Sequence, residues 1–242
     1  MEKIVVVSTN DNPDYYCYSP YIKYAWNSYG WKVACVVTHD VDVSNIDADY
    51  IIQLPVIEGI RSETMAQAGR LYAANALPED SYLMTSDMDL LPLSDYWKPN
   101  TEKITVYGHD LTDYSFYPMG YTGMPCRKWK EVFNLTGGIR HDMERDFSAN
   151  KAVKSDVWEE WWNYDWDFLT RKLQPYKSQI DFVNRGRQSG TCWALGRVDR
   201  GTGMTIPDGV LIDAHCENVN SRHPDKWTKF INLFEKVYGK VK

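Results

Sequence analysis

Short apolar runs closed by turn residues alternate along this chain with longer stretches whose apolar positions recur every three or four residues. That alternation predicts strands and helices in turn. Residues 3–8 (KIVVVS) form a β-branched run ended by Thr9-Asn10-Asp11-Asn12-Pro13 and read as a buried first strand. Residues 19–29 read as a helix, with Ser19 as cap, Pro20 at the first position and Gly30 just past the end. Residues 31–38 and 50–54 read as the second and third strands, the latter stopped by Pro55. An Ala-rich helix is predicted over 62–76, with Ser62 as cap and Glu63 in its first turn. Residues 81–86 read as a fourth strand.

Beyond that point the pattern predicts a fifth strand over 101–107 and a Tyr-, Gly- and Pro-rich loop over 109–125. Helices are expected over 127–134 and over 153–173, the second broken near Tyr164. Short strands are expected over 179–183, 191–195 and 210–212, with a closing helix over 224–238. A β-α-β-β-α-β opening implies an α/β sandwich on a largely parallel sheet. Residues 1–92 therefore read as a Rossmann-like nucleotide-binding half, merged with a second half over 93–242. Nothing in the chain reads as a linker or repeat, so a single domain over 1–242 is expected.

Composition narrows the function. The formal charge of −6 argues against nucleic acid as a partner. Ile4-Val5-Val6-Val7 is too short an apolar run for a signal core or membrane span, and five scattered cysteines without a C-x-x-C pair predict a reducing, cytoplasmic setting. The 10 Trp and 17 Tyr are mostly expected in packing, yet a flat ring with a polar edge also suits a sugar.

The stretch Tyr82-Leu83-Met84-Thr85-Ser86-Asp87-Met88-Asp89-Leu90-Leu91-Pro92 carries the chemistry. An apolar strand ends and delivers two carboxylates at i and i+2, on one face of an extended backbone. Such a pair is repulsive unless a cation lies between them, and hard oxygen ligands suit Mn²⁺ or Mg²⁺. The apolar Leu90-Leu91-Pro92 returns to the core, leaving the Asp87–Asp89 tip to face a ligand. A second strand end offers His215, whose imidazole nitrogen would favour Mn²⁺ over Mg²⁺; Asp213 is the alternative ligand there.

Strand, D-x-D and apolar-Pro exit together resemble the GT-A glycosyltransferases, with features similar to glycogenin-like enzymes and to the small glycosyltransferases of large algal viruses (chloroviruses) and of bacterial surface-glycan pathways. The resemblance implies a metal-dependent transfer of a sugar from a nucleotide-diphosphate sugar, UDP favoured, to a glycan or other hydroxyl acceptor. It makes residues 93–242 the acceptor half and implies metal ligation by Asp87, Asp89 and His215. It implies donor binding by Ser8, Thr9, Asn10, Arg61, Arg70, Asp87, Met88 and Lys226. Tyr164-Asp165-Trp166-Asp167-Phe168-Leu169 is similar to the family's D-Q-D-x-L stretch, which would make Asp165 and Asp167 the acidic residues facing the sugar; Trp166 stands where that stretch has Gln. The aromatic loop around 114–125 is expected to close over the site, with Gly120 and Gly123 giving it freedom to move.

Three rivals remain at this point. A dehalogenase-type phosphotransferase wants its D-x-D after the first strand. A sugar nucleotidyltransferase usually carries a Gly-rich basic loop there, which residues 8–13 lack. A non-catalytic sugar-binding module would need the aromatics and not the D-x-D.

Overall fold

The computed structural model describes residues 1–150, 162–187, 194–206, 209–216 and 224–240. Its elements are β1 (Lys3–Thr9), α1 (Pro13–Tyr16), α2 (Ser19–Ser28), β2 (Lys32–Val37), β3 (Tyr50–Gln53), α3 (Ser62–Gly69), β4 (Tyr82–Thr85), β5 (Leu90–Pro92), β6 (Ile104–Tyr107), β7 (Thr122–Pro125), α4 (Cys126–Phe133) and α5 (Ile139–Ser148). They continue with α6 (Tyr164–Leu173), β8 (Ile180–Val183), β9 (Arg197–Asp199), β10 (Asp213–His215) and α7 (Pro224–Tyr238).

Among the described residues, seven strands form one sheet in the order β3-β2-β1-β4-β7-β6-β8. β1 runs parallel to β2 and β4, and β2 parallel to β3. Strands covered on both faces read as continuous apolar runs rather than alternating ones, and β1 shows the consequence. Ile4 and Val6 point into a core shared with α3, α4, α5 and α6. Val5 and Val7 point into a second core, built with α2, β5 and α7. The chain is thus an α/β sandwich with a mostly parallel central sheet.

On the second face α7 locks to α2 through aromatic edges: Tyr18 to Phe230 at 4.8 Å, Tyr21 to Phe230 at 5.1 Å and Tyr21 to Phe234 at 5.0 Å between centroids. Other rings among the described residues also pack on one another, Trp97 stacking on Tyr121 at 3.7 Å and Trp129 on Phe133 at 5.3 Å. Among the described residues no helix is long and apolar enough to cross a membrane.

The structure corrects several expectations. The loop expected over 109–125 ends in a strand, and the segment around 114–125 expected to close over the site is largely fixed: β7 is paired antiparallel between β4 and β6, and Tyr117, Met119 and Tyr121 are buried. Gly123 serves close packing rather than motion, since a Cβ there would come within 2.7 Å of the Tyr82 hydroxyl. The helix expected over 62–76 tightens at Arg70 into a 3-10 turn, Arg70–Asn75. The strand expected over 210–212 begins only at Asp213. β5, β9 and α5 were not anticipated. Residues 153–161 of the expected helix and 191–193 of an expected strand lie outside the described residues, as do Cys192 and His223; Cys17, Cys35, Cys126 and Cys216 are free thiols.

A second sheet positions the site. Its order is β5-β10-β9, and its register sets His215 opposite Leu90 on one side and Asp199 on the other. The strand that leaves the D-x-D is therefore zipped to the strand carrying His215. Beneath it, Asp213 accepts hydrogen bonds from Arg185 at 3.0 Å and Arg197 at 2.6 Å, and the Arg185 guanidinium lies 5.1 Å from the Trp97 ring centroid. Burial raises the Asp213 carboxyl, but the two guanidiniums outweigh burial and hold it well below the ordinary carboxylate range.

Candidate active site

A cleft of about 700 Å³ opens at the carboxyl ends of β1 and β4, where open α/β sheets bind their ligands. Its volume falls inside the range of roughly 300–1,000 Å³ typical of small-molecule sites. Of the residues expected to bind donor, metal or sugar, Ser8, Thr9, Asn10, Arg70, Asp87, Met88, Asp89, Asp165 and His215 line it. These residues are scattered over the whole chain, and the fold brings them to one place.

Each wall has a local reason. β1 ends at Thr9, and Asn12 turns the chain into α1 by capping Asp14 N–H at 3.0 Å. That turn sends Tyr15 back toward the cleft. Asn10 donates to Ser62 Oγ at 3.3 Å, tying the β1 end to the start of α3. β4 delivers Asp87, Met88 and Asp89 on a turn closed by Leu90 N–H bonding to the Asp87 carbonyl at 3.1 Å. Gly120 lets this turn sit close: a Cβ there would lie 3.3 Å from Asp87 Oδ2 and 2.9 Å from Leu90 Cδ1.

Buried charges organise the floor. The Arg70 guanidinium hydrogen-bonds Asp87, donates to the Ser86 carbonyl at 2.7 Å and to Asp165 Oδ2 at 3.0 Å. One buried cation thus holds the D-x-D and the α6 carboxylate together. Burial pushes the Asp165 carboxyl above its ordinary value, against the opposing pull of Arg70. Asp87 remains 38% exposed toward the cleft. Met88 is buried in the core beneath the turn.

Asp89 differs from the exposed tip that its motif suggests, for its side chain is only 7% exposed. Arg200 donates to it at 3.0 Å, and His215 Nε2 stands 3.6 Å away, in ion-pair range but beyond a hydrogen bond. Burial raises Asp89; His215 and Arg200 outweigh burial, so its carboxyl titrates below the ordinary value. Burial lowers His215, but the hydrogen bond that its Nδ1–H donates to Asp199 at 3.2 Å and the charge of Asp89 raise it to about 9.

Three expected residues stand elsewhere. Asp167 points to the surface and pairs with Arg171 one turn on, at 2.9 Å. Arg61 occupies the cap position of α3 without lining the cleft, and Lys226 lies in the first turn of α7, also away from it. Trp227, its neighbour, packs on Tyr21 at 5.5 Å, so this part of the chain docks a helix. Conversely, Tyr15, Glu63, Gln67, Trp162 and Arg200 line the cleft without having been anticipated. Arg200 carries no motif of its own; only its position just after β9 brings it to Asp89.

Among the described residues no group of three His, Cys, Asp or Glu side chains converges as a ready metal cage. Asp87, Asp89 and His215 share the cleft, but Asp87 is turned to Arg70 and Asp89 to Arg200.

No family model matches this chain, and no curated protein matches it either. Among solved structures it is similar to the galactosyltransferase LgtC, whose crystal structure is described as a complex with donor and acceptor sugar analogs. The TM-score is 0.51 over 99% of this chain and 97% of that one, at 14% sequence identity. At that identity the likeness is one of fold: this chain has the GT-A fold.

Proposed function

We propose that the chain is a glycosyltransferase that takes a sugar from a nucleotide-diphosphate donor, UDP favoured, with Mn²⁺ or Mg²⁺, and passes it to a hydroxyl acceptor. The observation that carries the reading is the Asp87–Met88–Asp89 turn at the carboxyl ends of β1 and β4, on the floor of a cleft large enough for such a donor. The neighbour of like fold holds donor and acceptor sugar analogs, which supports the same use of the cleft here.

The donor set fits a divalent cation in its chemistry. Asp87 and Asp89 supply carboxylate oxygens, and His215 a nitrogen that suits Mn²⁺. When bound, such an ion would neutralise charge developing on the leaving diphosphate. To hold such an ion, Asp87 and Asp89 would exchange their guanidinium partners, and His215, protonated at neutral pH in the free cleft, would give up a ring proton to solvent. Arg70 and Arg200, released in part, are then placed to meet phosphate oxygens, for which a guanidinium fork is matched.

The other residues bind and orient. The Ser8–Asn10 strand end and Tyr15 would cradle the nucleoside on the α1 side. Asp165, already held by Arg70 at 3.0 Å, would meet the donor sugar from the α6 side. Its carboxylate is fixed by two separate hydrogen bonds, one of them from its neighbour's backbone N–H at 2.9 Å, so it meets the sugar with little reorganisation.

The test is a melting-temperature panel of UDP, GDP, CMP and dTDP, each with and without Mn²⁺, followed by donor turnover with the nucleotide that binds. A ligand held only by the native state raises the melting point. Stabilisation by one diphosphate in Mn²⁺ and release of that diphosphate from its sugar ester are expected. No stabilisation by any member of the panel would refute the reading.

A further inference from the structure

The α6 side of the cleft presents two large apolar side chains among charged and polar neighbours. Trp162 and Trp166 are each 38% exposed, and both line the cleft. Elsewhere Trp26, Trp31, Trp97 and Trp129 are fully buried, as expected when apolar surface gains about 25 cal/mol per Å² on leaving water. An indole left 38% exposed at the mouth of a polar cleft forgoes part of that gain.

Trp166 is not loosely placed. Its backbone N–H donates to Asp165 Oδ1 at 2.9 Å, Asp165 accepts from Arg70 at 3.0 Å, and Arg70 is paired with Asp87. A continuous hydrogen-bonded chain thus fixes the Trp166 backbone relative to the D-x-D turn. Across the cleft, Gln67 on α3 lines the same space, and its side-chain carbonyl oxygen is buried without a hydrogen-bond partner among the described residues. A buried acceptor without a donor is destabilising because it has lost water and gained no partner, and a ligand hydroxyl would supply one.

One ligand chemistry answers both features. A pyranose ring offers an apolar C–H face to an indole and a rim of hydroxyl donors to an amide oxygen. We propose that Trp162 and Trp166 form the platform on which a pyranose ring lies, with Gln67 accepting a hydrogen bond from one of its hydroxyls. The inference rests on the glycosyl-transfer reading and adds to it the surface that selects the sugar. The ring can belong to the donor or to the acceptor.

The experiment uses the full chain with Trp166→Ala and Trp166→Phe. Calorimetry in Mn²⁺ compares UDP with UDP-glucose and UDP-galactose. Saturation-transfer NMR on the UDP-loaded protein examines methyl β-glucoside and methyl β-galactoside. If the donor sugar lies on the platform, Trp166→Ala weakens the UDP-hexose about ten-fold while UDP itself changes less than two-fold. If the acceptor lies there, the UDP-hexose is unchanged and saturation transfer to the methyl glycoside is lost. Trp166→Phe should keep most of either effect, and the melting temperature should stay within two degrees of wild type. Equal loss of UDP and UDP-hexose would mean that the indole stacks on the base or supports the wall, and would overturn the inference. So would no change in either arm. If the nucleotide panel selects a base other than uridine, the same arms are run with that nucleotide and its hexose esters; failure of the wild type to bind any nucleotide of the panel would instead remove the glycosyl-transfer reading, and this inference with it.

Discussion

Two clusters of carboxylates and guanidiniums lie at neighbouring strands of the small sheet, and they are put to opposite uses. Asp213 is fully enclosed and takes hydrogen bonds from both Arg185 and Arg197, whose own side chains are buried or nearly so. Its bonding capacity is filled inside the protein. The D-x-D cluster has the same chemistry, with Asp87, Asp89 and Asp165 set against Arg70 and Arg200, but it opens onto a cleft. Asp87 and Arg200 remain 38% and 37% exposed. An enclosed, satisfied cluster fixes the β10 strand; an open one can trade internal partners for those of a ligand. The difference is one of enclosure, since the residue types are the same.

The sharpest way to break this comparison is to remove a carboxylate from each side. Asp213→Ala strands two buried guanidiniums, and losing one partner of a buried pair costs about 3–5 kcal/mol. Urea unfolding should show that loss. Because the folded Asp213 titrates below its unfolded value, its stabilising contribution is fully present above the ordinary carboxylate range and fades only as pH falls below it. The gap between wild type and variant should therefore persist from pH 7 down to about pH 4 and narrow below that. Asp89→Asn should lose about 3 kcal/mol of transition-state stabilisation, a hundred-fold or more in kcat/KM, with a smaller effect on urea unfolding than Asp213→Ala. A destabilisation as large as that of Asp213→Ala with turnover intact would place Asp89 on the structural side.

Smaller effects sharpen the boundary. Arg200→Ala should weaken nucleotide diphosphate binding about ten-fold, as expected for the loss of one charge-assisted contact, with little change in melting temperature. Asp167→Ala should do almost nothing: an exposed i, i+4 pair contributes about 0.3–0.5 kcal/mol, and turnover should stay within two-fold. The contrast with Asp165, two residues earlier, separates a carboxylate held by Arg70 from one that decorates the helix surface.

Much of this was legible in the chain, for identifiable reasons. β1, β2 and β4 are buried on both faces, so their apolar runs stand out against the turns around them. The D-x-D was legible because an apolar strand and an apolar exit leave little else to face solvent. The reading of 114–125 as a closing loop failed because Gly and Pro suggest loops, whereas Gly123 is small to admit the Tyr82 ring beneath a central strand. α5 escaped notice because its sequence IRHDMERDFS is mostly polar; its signal was Met143 and Phe147 at i, i+4, both buried. Asp142 and Asp146 share that buried side through bonds to Asn75 at 3.0 Å and Tyr72 at 3.1 Å. Arg200 and Gln67 were illegible because nothing local marks them. Their place in the cleft comes from the β5-β10-β9 pairing and from the helix wall, which are tertiary facts.

The measurement that bears most directly on the account is calorimetric titration of UDP and GDP into the protein in millimolar Mn²⁺ and again in EDTA, with Asp89→Asn run alongside. If Asp87, Asp89 and His215 share a cation with the diphosphate, one of the two nucleotides binds in Mn²⁺, and its affinity falls by ten-fold or more in EDTA and likewise in the variant. Equal affinity with and without the metal, in a protein that still turns over donor, would contradict it. The open cluster would then be working through Arg70 and Arg200 alone.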